Sequence, residues 1–326
     1  MTSNQNQTTN NLPDIDEDFR DRVNQVYEAW HRNDTPFAHA TKQLEALRQE
    51  ALATSSPLNE AGIYNILGIM NGYRSKYENA IVNFDKARQI YDQHGAARRV
   101  ATVDLNLGET YRLLGDFTRA KTYFHRAYEE AQALDNLALQ VTALTNEGQM
   151  WFSLKSFEKA RTTLETALHV SQDQWHPQDE ADEIRQADNA CEIHHALVSV
   201  ALEEGKPDQA WEHAAQSYHY AEFSGRIVRM GYANRALGDV ITELGQSPSD
   251  EFNSDVDYYY TEAISAFKQV KAEGEVAKTL LAHGQSLAKR GQKRSAGNKY
   301  QQAMVIFSKL GMMDAAAEAA QAQSEI

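Results

Sequence analysis

The sequence predicts an all-α protein, an α-solenoid of about seven antiparallel helix pairs, on three observations. Small and bulky apolar residues recur at a register of 40 residues, the apolar positions inside one unit follow helical spacing, and none of the six prolines falls inside an expected helix. Segments 67–87, 107–127 and 147–167 align without gaps. In each, a glycine (Gly68, Gly108, Gly148) is followed by an aromatic (Tyr77, Phe117, Phe157) and then an alanine (Ala80, Ala120, Ala160). A bulky residue (Phe84, Phe124, Leu164) and a second alanine (Ala87, Ala127, Ala167) complete the unit.

Each unit reads as two helices. In the first, Leu107 and Tyr111 are four apart and share a face, and Gly108 lies beside them, where a side chain would hold the neighbouring helix away. In the second, Ala120, Phe124 and Ala127 form the i, i+4, i+7 stripe of a buried face. Gly115 supplies a left-handed stop and Asp116 an N-cap for the next helix. Ser156 stands where it would cap the same helix one unit on, and Pro207 sits in a tolerated first turn. Two helices and two turns in 40 residues leave roughly 17 residues, about 25 Å, per helix.

Extending the register backwards places Phe37, Ala40 and Leu44 in the same slots, with Glu28 in place of the glycine. Forwards, the slots return as Val198, Ala210 and Ser217, then Gly238, Ala263 and Phe267, then Gly284, Ala296, Tyr300 and Ala303. The expected organisation is a disordered polar tail (1–13), a degenerate helix pair (14–56), regular repeats (57–170), an acidic insertion (171–189), diverged repeats (190–310) with a second insertion (246–257), and a capping helix (311–326). The first insertion carries Trp175 and His176, and the second leads into Tyr258, Tyr259 and Tyr260. Both read as flexible solvated loops, with a partner contact as the sharper alternative.

Charge narrows the partners. The chain carries 32 Lys and Arg against 46 Asp and Glu, a net −14, which argues against direct nucleic-acid binding and favours basic partners. No run of 18 uncharged apolar residues exists, so no membrane span is expected. The Asn/Gln/Thr-rich start lacks the pattern of a secretory signal, and the single cysteine, Cys191, fits a reducing cytoplasm.

Chemistry-bearing motifs are weak. His194 and His195 are adjacent and point about 100° apart on a helix, so they cannot chelate together, and neither His213 nor His219 completes an HExxH pair. Asp255 and Asp257 lack the glycine and distal glutamate of a calcium loop. The run from Gly291 to Lys299 has the wrong glycine spacing for a phosphate loop, and its basic residues read as a solvated helical face. Cys191 has no nucleophile signature around it. The expectation is therefore a protein that is not an enzyme and needs no cofactor or metal.

The run Leu107, Gly108, Tyr111, Gly115, Phe117, Ala120, Phe124, Ala127 resembles the tetratricopeptide-repeat signature. The long register is similar to kinesin light chains, spindle-orientation adaptors and the ligand-sensing arrays of bacterial peptide-pheromone receptors and Rap-type regulators. The resemblance implies a right-handed superhelix and a non-catalytic scaffold or adaptor that holds an extended peptide or a partner helix in its concave groove. It implies as an alternative a ligand-switched regulator that controls a partner protein through a change of superhelix pitch. First helices line the groove in such arrays, which would expose Thr102, Leu105, Asn106, Glu109, Arg112 and Leu113, and one unit later Thr142, Thr145, Asn146, Gln149, Phe152 and Ser153. Asn65, Asn106 and Asn146 would hold a peptide backbone, since a side-chain amide both donates and accepts; the bland alternative is that they are solvated polar residues. His195, Ser199, Tyr232, Arg235 and Asp239 would continue the same wall.

Overall fold

The computed structural model describes residues 17–31, 34–74 and 76–326, and over them the chain is an α-solenoid without strands. Fourteen helices form seven pairs. These are α1 (Glu17–His31) with α2 (Phe37–Ala53), α3 (Pro57–Tyr73) with α4 (Tyr77–Gln93), α5 (Ala97–Leu113) with α6 (Phe117–Ala133), and α7 (Leu137–Ser153) with α8 (Phe157–His169). There follow α9 (Glu180–Glu203) with α10 (Pro207–Ser224), α11 (Ile227–Leu244) with α12 (Val256–Gln269), and α13 (Glu273–Lys289) with α14 (Lys293–Leu310). A fifteenth helix, α15 (Met313–Ser324), buries Ala316 and Ala319 against the last pair. Helices α2 to α7 are each 17 residues long, the length the register leaves them. The polar stretch 1–13 lies outside the described residues.

Glycine faces a large side chain across each regular pair. A Cβ on Gly68 or Gly108 would stand 2.5 Å from ring carbons of Phe84 or Phe124, and one on Gly284 2.5 Å from Tyr300. The small residue lets the helices approach, and the ring fills the space between them. The sixth pair departs from the expected slots. Phe267 packs on Gly231 instead of Gly238, and Gly238 receives Tyr260. The connection after α11 shifts the register of α12, so two glycines of α11 take two rings of α12.

Turn chemistry follows the sequence in one unit and departs from it in the next. Gly115 has a φ of +77° and the Asp116 carboxylate accepts from the Arg119 amide at 3.0 Å. Ser156 makes no side-chain cap bond, and Lys155 takes the left-handed position at φ +54°.

The first insertion is largely helical and the second an exposed loop, and each carries one buried aromatic. After α8 the chain makes a π-helical turn, Val170–Gln174, and Trp175 is 6% exposed, its indole donating to Asp182 Oδ2 at 3.0 Å. Asp179 then caps α9, which is 24 residues long, so much of the acidic segment is extra helix. In the second insertion Phe252 is buried edge-on against Trp211 and Tyr218, with ring centroids at 5.2 and 5.5 Å, and Asp255 caps α12. An aromatic anchor holds each segment to the array.

Two histidines meet between α9 and α10, His194 Nδ1 to His213 Nδ1 at 3.0 Å, so one must donate and the other accept. Burial, then the neighbouring His213, lowers His194 from 6.5 to about 4, and burial lowers His213 as well. The unfolded chain binds these protons at higher pH, so stability is full above about 6.5 and falls as pH drops toward 4. The urea midpoint is expected to fall between pH 7 and pH 5, and to fall less in a His194→Leu, His213→Leu double variant. Equal pH slopes in the two proteins would refute the assignment.

Candidate functional site: the concave cavity

The first helices of successive pairs stand side by side and are tied by hydrogen bonds that repeat with the register. Asn106 donates to Asn65 at 3.0 Å, Arg112 to Ser153 at 3.1 Å, Gln149 to Glu192 at 3.3 Å and Arg235 to Glu275 at 2.9 Å. These helices enclose a cavity of about 1270 Å³. It crosses them diagonally, touching the last turns of α3, α5 and α7, the middle of α9 and the first turns of α11 and α13.

Seven of the ten residues singled out in the sequence line this cavity: Glu109, Arg112, Gln149, Phe152, His195, Tyr232 and Arg235. Leu113, Ser153 and Ser199 join them. Asn65, Asn106 and Asn146 do not. Asn106 shares a helix face with Glu109 but lies three residues closer to the N-terminus, about one turn from the diagonal. Its amide is spent on Asn65.

Other expectations of exposure fail for a related reason. Leu105 and Thr145, 5% and 2% exposed, face the seams between adjacent helices, and the Thr145 hydroxyl donates to Val141 O. Asp239 lies outside the cavity and accepts from the Tyr260 hydroxyl at 2.7 Å; burial pushes its carboxyl up to about 6.

The cavity carries charge opposite to that of the chain. Four arginines (Arg74, Arg112, Arg229, Arg235) and four lysines (Lys268, Lys271, Lys278, Lys309) line it, against four glutamates (Glu109, Glu192, Glu273, Glu275). The expectation of a basic partner came from the total of −14, but that acidic excess lies outside the cavity. Arg112 makes two bonds of 2.6 Å to Glu109, and Arg229 is 2.9 Å from Glu192. Glu275 answers both Arg235 and Lys278, at 2.9 and 2.7 Å. Burial would raise the Glu275 carboxyl, but Arg235 and then Lys278 outweigh it and hold it near 2. Burial, reinforced by Arg235, lowers His195 to about 3, so it faces the cavity as a neutral ring tilted against Tyr232, with centroids 5.2 Å apart.

Aromatic side chains supply apolar walls: Trp30, Phe37, Tyr73, Tyr77, Phe152 and Tyr232. The first three belong to the N-terminal end of the array, and Lys268, Lys271 and Lys309 to the C-terminal end. The two ends approach each other, with Lys271 Nζ 3.7 Å from Asp34 Oδ1. No single repeat carries that information, which is why the sequence missed Arg74, Lys268, Lys271 and Lys309. Arg229 is one turn from Tyr232, which was already suspected, and Glu275 faces Arg235 from the next first helix; the missing signal was the diagonal path.

Cys191 is 1% exposed and burial pushes its thiol up to about 11, which leaves too little thiolate for nucleophilic chemistry. Among the described residues no three histidine, cysteine or acidic side chains are grouped to hold a metal ion. Nor is any described helix long and apolar enough to cross a membrane.

A family model described as tetratricopeptide repeat matches residues 99–173. Those residues carry tetratricopeptide repeats, and the helix pairs on either side continue the same architecture. The solved apo form of RapI is similar to this array with a TM-score of 0.62 at 12% identity, over 90% of this chain and 99% of that one. A Rap protein complexed with Competence and Sporulation Factor gives a TM-score of 0.56 at 14% identity, over 95% of this chain and 97% of that one. Aspartyl phosphate phosphatase F from Bacillus subtilis gives 0.50 at 15% identity, over 96% and 80%. At these identities the likeness is one of fold. No curated protein matches the sequence itself.

Proposed function

We propose that this tetratricopeptide array is a non-catalytic scaffold that grips an extended peptide, or an extended segment of a partner protein, in its concave cavity. The observation that carries this reading is the cavity itself, about 1270 Å³, walled by six aromatic side chains and by polar groups from successive first helices. Drug-sized ligands occupy roughly 300–1,000 Å³, so the space suits several peptide residues. Gln149 gives one N–H to Glu192 but carries a second N–H and a carbonyl oxygen that suit a backbone unit, and Phe152 offers an apolar face one turn away. A Rap protein of this fold is complexed with Competence and Sporulation Factor, so an array of this shape accommodates a bound factor.

Gln149→Ala combined with Phe152→Ala is expected to weaken a captured peptide about tenfold or more, roughly 1.4 kcal/mol or above, with helix content unchanged. Hydrogen exchange should show protection by the peptide on α5, α7, α9 and α11. A footprint confined to the outer second helices, or undiminished affinity, would overturn the reading.

One observation favours the regulatory version of the same activity. The ends of the array touch at Lys271 and Asp34, and both residues lie in inter-helix turns. An occupant that bridges the cavity would stabilise the closed pitch relative to an open one by its difference in affinity for the two. Small-angle scattering with and without a bound peptide should then show a smaller radius for the occupied array. An unchanged profile leaves a stiff scaffold.

A further inference from the structure

Resting on the peptide-binding reading, we propose that the occupant is acidic: an extended peptide whose carboxylates sit at the gap where the two ends of the array meet. The contact of Lys271 with Asp34 joins the turn between α12 and α13 to the turn between α1 and α2. Phe37 lies three residues beyond Asp34, and the Arg74 guanidinium stacks 3.9 Å above its ring. Lys268 precedes Lys271 by one turn, and all three cations line the cavity.

The carboxylates present do not match these charges. Asp34 answers Lys271, and Glu273 answers Lys309 at 3.2 Å. Arg74 and Lys268 are exposed and have no carboxylate within ion-pair distance among the described residues. In the first turn of α13 one carboxylate, Glu275, serves two cations. Unmatched cations on an open surface interact weakly with a passing anion, but a concave wall focuses their field. In a chain of net −14 a cationic hollow discriminates strongly by charge.

The glutamates select among anions. Glu109, Glu192 and Glu275 are spread along α5, α9 and α13, so a polymer with one phosphate per unit would meet carboxylates along much of its path. A peptide can place its acidic side chains against Arg74 and Lys268 and present amides and apolar groups to Gln149, Phe152 and Tyr232. The aromatic walls serve the second part of that ligand.

A display library of random octapeptides, panned on the full chain, tests this. Enriched sequences are expected to carry a surplus of aspartate and glutamate, and the tightest of them should lose about tenfold or more in affinity on an Arg74→Glu, Lys268→Glu double variant. Its binding should also weaken with added salt, as screening of partly exposed charges requires. Both substitutions fall on exposed side chains, so beyond the loss of the Arg74 contact with the Phe37 ring the urea midpoint should move little. Enrichment of neutral or basic octapeptides would overturn the acidic assignment and leave the peptide-binding reading standing. Enrichment of none would overturn both, and so would binding of an oligouridine probe in their place.

Discussion

Replacing Gly108 by leucine is expected to destabilise the array by about 3 kcal/mol, the upper end of the ~1–3 kcal/mol typical of overpacking. A Cβ alone would stand 2.5 and 2.6 Å from two ring carbons of Phe124. That ring has no exposed surface to retreat into, so α5 and α6 must move apart. Separation then opens the contacts of Ala120 and Ala127, which are buried on the same stripe. Gly72 is the control: no atom outside its own helix lies within 4 Å of its Cβ position. Gly72→Ala should be neutral or raise stability by up to about 1 kcal/mol through helix propensity. Urea unfolding measures both, and Phe124→Ala in the leucine background should recover part of the loss. An unmoved midpoint for Gly108→Leu would show that the two helices are not held by this contact.

That contact was legible in the sequence because it is local. Gly108 and Phe124 belong to one helix pair, and three gap-free copies state the rule. Where chain was added, the same rule misled. The alignment assigned Phe267 to the slot opposite Gly238, whereas α12 slides so that Gly231 and Gly238 each take a ring. Trp175 and Phe252 anchor the insertions to the array, yet the acidic composition around each made both segments read as wholly solvated.

The cavity was legible by halves. Periodicity identifies which face of each first helix points inward, and it found Glu109, Arg112, Gln149 and Phe152 together with His195, Tyr232 and Arg235. It does not identify which turn of that face meets the cavity, because that depends on rotation accumulated over several repeats. Asn106 and Asn146 therefore share the right face at the wrong height, while Glu275 and Lys278 enter from the first two turns of a later helix. Arg74 and Lys268 are 194 positions apart, and only closure of the array brings them to one gap.

Removing the carboxylate of Glu275 should cost about 2–3 kcal/mol of stability while tightening the grip on an acidic peptide. Arg235 is 14% exposed and Glu275 18%, so the cost stays below the ~3–5 kcal/mol of breaking a fully buried pair. Lys278 is half exposed, and its share of the pair contributes little. Without Glu275 the Arg235 guanidinium keeps only the faces of Tyr232 and Phe267, at 5.3 and 5.8 Å. The Glu275 carboxyl is held near 2 in the folded chain against 4.5 in the unfolded one, so its contribution is complete above about pH 4.5 and is lost as pH falls toward 2. The gap in urea midpoint between the native chain and Glu275→Ala should be widest at neutral pH and narrow below pH 4.5. Binding should move the other way, since the variant frees Arg235 and Lys278 to face the cavity. A variant that lost stability and acidic-peptide affinity together would mean that Glu275 shapes the wall, and that charge matching is not what sets the cavity's preference.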